Sequence, residues 1–140
     1  MLPRFFLSLT VVLACAAPAA HAEQPAEAFA DAIGQAIRQF DLAARTLETR
    51  GRDETEAEVA AFRSAWGEVI ARFGVEGQGA IPTYDYRPVL LDIDVRLLGV
   101  MLVVSMGNRD AARAALQPIR DILTGLQERA QAAAPDHSRP

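Results

Sequence analysis

The chain has 140 residues, 51% of them apolar, and a formal net charge of −4, which suits one domain able to bury a single core. Its basic residues are all arginine, are outnumbered by acidic ones and form no basic run, which argues against nucleic acid and against an anionic membrane surface as partners. The one cysteine, Cys15, leaves no disulfide, so regular helix packing has to hold the fold without staples.

Residues 1–22 read as a signal peptide. Met1 to Arg4 give a short, positively charged start, Phe5 to Ala14 an apolar stretch, and Ala20-His21-Ala22 the small residues read by a signal peptidase. Cleavage there makes Glu23 the new N-terminus and places the domain outside the cytoplasm, periplasmic or secreted. A rival reading rests on Val12-Leu13-Ala14-Cys15, which resembles a lipobox; Cys15 would then be lipidated and the chain anchored by its acyl chains.

Four helical segments follow, within a domain of residues 23–133. In the first, Phe29, Ile33, Ile37, Phe40, Ala44 and Leu47 recur at steps of three or four as one apolar stripe, which Gly51 stops. Asp53 with Glu56 suits the N-cap of the second, where Val59, Phe62, Trp66, Val69, Ile70 and Phe73 repeat the pattern up to Gly74. Residues 74–87 are the one long break. Pro88 fits the opening turn of a third helix running to about Met106, with Asp85 as a possible cap. From Leu97 to Met106 that helix is apolar on every side apart from Gly99 and Ser105; it is too short an apolar run to cross a bilayer, and reads as a buried helix.

Gly107-Asn108 predicts a tight turn, with Asn108 or Asp110 capping a fourth helix whose stripe is Ala112, Leu116, Ile119, Leu123, Leu126 and Ala130. Pro118 falls inside it, with a bend expected near Ala114 to Gln117. Residues 134–140 read as a disordered tail. The expected fold is all-α, an antiparallel up-down-up-down four-helix bundle following a cleaved signal peptide. A stack of two helical hairpins is the alternative.

Catalytic chemistry is poorly supplied. Beyond the leader the single histidine is His137, in the tail, and there is neither lysine nor cysteine, so nucleophilic triads, Schiff bases and thiol chemistry have no residues to use. Asp92 and Asp94 cannot share a proton, because residues two apart on a helix point roughly 200° from each other; Asp92 suits Arg96 four residues on. The chain is therefore expected not to be an enzyme. Covalent haem is excluded by the absence of a Cys-x-x-Cys-His motif. Met101 and Met106, in an unbroken apolar run, suit packing better than axial ligation. No other cofactor is specified.

The most unusual polar cluster is Tyr84-Asp85-Tyr86-Arg87, which holds both tyrosines, with Glu76 near in sequence. Phenolate and carboxylate oxygens are hard ligands suited to a hard metal ion, so these five residues are a candidate ligand, partner or metal site between the second and third helices. The structural alternative has the tyrosines closing the end of the bundle, Asp85 capping a helix and Arg87 answering a carboxylate.

Leu123-Thr124-Gly125-Leu126-Gln127 matches the LTxxQ motif, and in size, export and helical character the chain resembles the periplasmic stress chaperones and metal-stress regulators that carry it. Those proteins have two copies, each opening a helix; here there is one, late in the fourth. The resemblance implies a non-catalytic protein that binds unfolded clients or a sensor kinase. From the residues alone, the expectation is an exported bundle that binds a protein partner or client in the cell envelope, or else a small ligand or metal through the loop. Incomplete wrapping of the third helix further predicts a homodimer burying part of Leu97 to Met106.

Overall fold

A computed structural model describes residues 25–75, 81 and 84–134 of the chain. The expected leader, with Cys15 and the cleavage site, lies outside the described residues, as do Glu76 and the tail from residue 135. The described residues form four helices and no strand: α1 (Pro25–Thr49), α2 (Arg52–Phe73), α3 (Arg87–Ser105) and α4 (Arg109–Ala133). They pack as a bundle in which α1 touches α2 and α4, and α3 touches α2 and α4; among the described residues no Cα of one diagonal partner comes within 8 Å of the other's.

Each helix follows from its apolar spacing. In α1 the buried residues are Ala28, Phe29, Ile33, Ala36, Phe40, Ala43, Thr46 and Leu47. The stripe is thus rotated slightly from the one expected: Ile37 and Ala44 sit at its edge, half-buried, and the smaller Ala36 and Ala43 take the centre. Two alanines facing inward let the neighbouring helices approach closely. Phe29 meets Phe73, with ring centroids 5.1 Å apart, and Phe40 meets Phe62 at 5.5 Å, so aromatic pairs join α1 to α2 along their length. Trp66, wholly buried, donates its indole N–H to the carbonyl of Leu90 at 2.9 Å, and Arg63 pairs with Asp94 at 3.1 Å, tying α2 to α3.

The helix ends depart from expectation in two places. The N-cap of α2 is Gly51, with no side-chain hydrogen bond; Asp53 lies in the first turn, where Arg52 pairs with it and with Glu56. The turn from α1 is so short that the helix starts before Asp53 can cap it, and the dipole end is served by first-turn carboxylates. At α3 the N-cap position is Tyr86, but the Asp85 carboxylate accepts from the backbone N–H of Arg87 at 3.2 Å, so the capping bond comes from the residue before the N-cap. The α3–α4 turn is as the sequence predicts. Gly107 has φ of 70°, its N–H bonds to Val104 O and that of Asn108 to Val103 O, a Schellman ending that a Cβ would strain. Asn108 then caps α4 by accepting from Ala111 N at 3.0 Å. The assigned α4 continues through Pro118, on its exposed face.

The seam between α1 and α4 is polar at its margin. Arg113 donates to both oxygens of Glu48 at 2.7 Å and to Asp110 at 2.8 Å, and Arg120 pairs with Asp41 at 3.3 Å. Hydrogen bonding from Arg113 holds the Glu48 carboxyl below the ordinary carboxylate range. A depressed native pKa means that the unfolded chain binds the proton more tightly, so this stabilisation is present above that range and is lost as the pH falls through it. Arg113→Ala is expected to lower the melting temperature slightly at pH 7 and not at about pH 2, where the carboxylates are neutral. The drop is small because both side chains are about half exposed. Thermal melts at the two pH values check it; an equal drop at both would mean the arginine acts through packing.

The sequence reading of Leu97 to Met106 as a covered helix needs correction. Leu97, Val100 and Val104 are buried, but Leu98, Leu102 and Met106 are 50%, 61% and 71% exposed. A four-helix ring has room at its axis for only one face of each helix, so the outward face of α3 stays bare although it is apolar. Met106 is accordingly not a core residue. Among the described residues no helix is long and apolar enough to cross a membrane.

Candidate binding surfaces

The loop before α3 and the outward face of α3 are two candidate surfaces for a ligand or partner. The loop lies where the start of α1 meets the ends of α2 and α4. Tyr86 is buried, and its ring stands 4.5 Å from that of Phe29. Tyr84 is half-buried beneath Arg129 of α4, whose guanidinium carbon is 4.3 Å from the ring centre. Asp85 takes hydrogen bonds from Arg87 Nε at 2.8 Å and Nη2 at 3.1 Å besides the backbone N–H. That arginine holds the Asp85 carboxyl below its ordinary range.

The four described residues therefore diverge. One ring goes into the core and the other is packed under an arginine, while the carboxylate is engaged by its neighbour two residues on. Glu76, the fifth candidate, lies outside the described residues. Among those described, no group of three or more His, Cys, Asp or Glu is placed to hold a metal ion. Asp92 and Asp94 also part company. Asp92 accepts from Arg96 at 2.8 Å and Asp94 from Arg63 across to α2, so each carboxylate has its own cation.

The α3 face is different in kind. Leu91, Val95, Leu98, Leu102 and Met106 are 57%, 65%, 50%, 61% and 71% exposed, and their spacing of four, three, four and four residues keeps them on one side of the helix. Single exposed apolar residues are ordinary, whereas a contiguous row of five large ones makes a candidate interaction surface. The row is flanked by the Asp92–Arg96 pair on one side and the Arg63–Asp94 bridge on the other. On that second side, Arg63, Gly67, Asp94 and Met101 border an open groove of about 450 Å³ between α2 and α3. Sequence reasoning found this helix but missed the row, because a segment apolar on all sides has no periodicity to say which side faces out.

In the LTxxQ segment, Leu123 and Leu126 are core residues of α4, and the Thr124 hydroxyl donates to its own helix at Arg120 O, 3.0 Å away. Comparison with family models, with curated proteins and with solved structures finds no match to this chain.

Proposed function

We propose that this chain is an exported, non-catalytic protein, an up-down-up-down helical bundle that acts by binding a protein partner in the cell envelope through the outward face of α3. The exposed row from Leu91 to Met106 carries this reading. Leaving five large apolar side chains in water forgoes burial worth roughly 25 cal/mol per Å², and a protein surface of matching shape recovers it. The polar flanks, with each charge already paired, suit the rim of such an interface, where charges stay wet. The leader-like N-terminal segment supports the address, and the scarcity of nucleophile–base pairings supports binding over catalysis.

A photo-crosslinking residue placed at position 102 in cells tests it. A covalent protein adduct is expected from that position, and none from position 45 on α1, on another side of the bundle. Absence of any protein adduct from 102 sinks the proposal. So does protein recovered from the envelope fraction carrying a metal ion or small molecule that is lost when Tyr84 and Tyr86 are both changed to Phe, since the loop before α3 would then be the site.

A further inference from the structure

We infer that the partner on the α3 face is a second copy of this chain, the two α3 helices lying antiparallel about a two-fold axis that passes between Leu98 and Gly99. The inference rests on the reading of that face as a protein-binding surface and adds the identity and register of what binds. A two-fold interface has to be self-complementary, with residue i meeting j and j meeting i. The α3 row satisfies this. Leu91 and Met106, Val95 and Leu102, and Leu98 and Gly99 are each placed symmetrically about one midpoint. At about 100° per residue all six lie within about 50° of a common direction. A reversed copy therefore brings Leu91 level with the partner's Met106 and Val95 level with the partner's Leu102. Leu98 and Gly99 meet their own counterparts beside the axis.

Gly99 gives an independent reason for close approach at that point. A glycine inside a helix costs about 0.5–1 kcal/mol relative to alanine, and a Cβ at Gly99 would meet nothing within 4 Å. Packing inside the protomer thus gives no reason for it. Gly67 and Gly125 are equally open, so an open glycine alone marks no face; Gly99 differs in lying at mid-length of the exposed apolar row, on its edge and level with Leu98. There a missing side chain lets two backbones come to the ~8 Å end of the usual interhelical range.

Charge selects the orientation. Asp92, Asp94 and Arg96 all lie in the N-terminal half of α3, and Leu97 to Met106 carries no charge. In the antiparallel arrangement the charged half of each copy borders the uncharged half of the other. Asp92 then stands about 20 Å along the axis from its own counterpart, well beyond the Debye length of ~8 Å at physiological salt. Parallel pairing would instead bring the Asp92–Arg96 pair of one copy to the height of the partner's Arg63–Asp94 bridge along both edges, charged group against charged group. A specific interface has to bury ~1,000 Å² in total, which the row from Leu91 to Met106, about 22 Å long, has to supply together with its polar flanks.

The experiment uses the full chain with Cys15→Ser, so that any thiol is one introduced on α3. By sedimentation the parent is expected to be a dimer at micromolar concentration, and Leu98→Asp/Leu102→Asp a folded monomer with unchanged helical circular dichroism. Under a mild oxidant, Leu98→Cys is expected to form a disulfide-linked dimer. Leu91→Cys alone should not, because its counterpart is about 22 Å away along the axis and a disulfide spans less than ~7 Å between Cα atoms. Leu91→Cys/Met106→Cys should crosslink again. A monomeric parent whose Leu98→Cys variant forms no disulfide overturns the inference, and so does a Leu91→Cys chain that crosslinks to itself, which means parallel pairing. If the parent is monomeric but position 102 still captures a different envelope protein, the second copy is wrong and the proposed function stands. If it is monomeric and position 102 captures nothing, both fail.

Discussion

Trp66→Ala is expected to lower the unfolding free energy by about 3–5 kcal/mol, the usual range for deleting a large buried aromatic. Trp66 is the largest of the wholly buried side chains, and it joins two helices by two different means. Its ring stands 6.2 Å from that of Phe62 on its own helix, which in turn meets Phe40 of α1. Its indole N–H donates to a backbone carbonyl of α3, so truncation removes packing volume and leaves Leu90 O with one partner fewer in a dry place. Trp66→Phe separates the two contributions: it keeps most of the apolar contact but loses the hydrogen bond, for which about 1 kcal/mol is typical. Urea denaturation followed by far-ultraviolet circular dichroism measures both. A Trp66→Ala chain within about 1 kcal/mol of the parent, the size of an ordinary surface substitution or less than a core one, would mean that the α2–α3 contact is much looser than described.

The second large effect is expected at Phe29→Ala, again about 3–5 kcal/mol, with a different spatial signature. Phe29 is wholly buried and touches both Phe73 and Tyr86, so one ring holds together the start of α1, the end of α2 and the entry to α3. Offset and edge-on aromatic pairs each add about 0.5–1.5 kcal/mol to the area they bury. Losing both should loosen that end of the bundle selectively. Amide hydrogen exchange checks this: protection should fall most around Leu90 and in the first turns of α1, and least at the Gly107–Asn108 end. Uniform loss of protection along the chain would show that the bundle opens only as a whole and that the aromatic cluster is not a local clamp.

How much of this was legible beforehand differs from helix to helix. In α1, α2 and α4 polar residues break the apolar run at regular intervals, so spacing alone named Phe29, Phe40, Trp66, Leu116 and Leu123 as core, and all are buried. The small rotation of the α1 stripe toward Ala36 and Ala43 was not legible, since alanine is apolar enough for the centre and small enough for the edge. In α3 the pattern carried no phase: Leu97 and Leu98 are chemically identical neighbours, and only the positions of α2 and α4 decide that one is buried and the other bare. In the tyrosine loop the structural alternative was legible, with Tyr86 closing the end of the bundle against Phe29 and Asp85 capping α3. Residue type gathered Tyr84 to Arg87 into one polar cluster, but a tyrosine is mostly hydrocarbon, and the nearby Phe29 drew Tyr86 inward. The Asp85 capping bond was readable, being local. The two-residue offset that puts Asp53 inside the first turn of α2 was not, because it depends on how tightly the chain reverses after Thr49.

The ring of contacts, each helix touching only its sequence neighbours except where α1 meets α4, has a consequence for the order in which the molecule assembles. Contacts between consecutive helices close short loops, and proteins dominated by such contacts fold in microseconds to milliseconds. The seam between α1 and α4 is the one that has to wait for the whole chain, since Glu48 and Arg113 are 65 residues apart. Interactions made after the rate-limiting step govern the rate of escape and leave the rate of entry nearly untouched. If the seam closes after that step, Arg113→Ala is expected to speed unfolding in stopped-flow kinetics and leave the folding rate unchanged; a slowed folding rate would mean that the seam forms early.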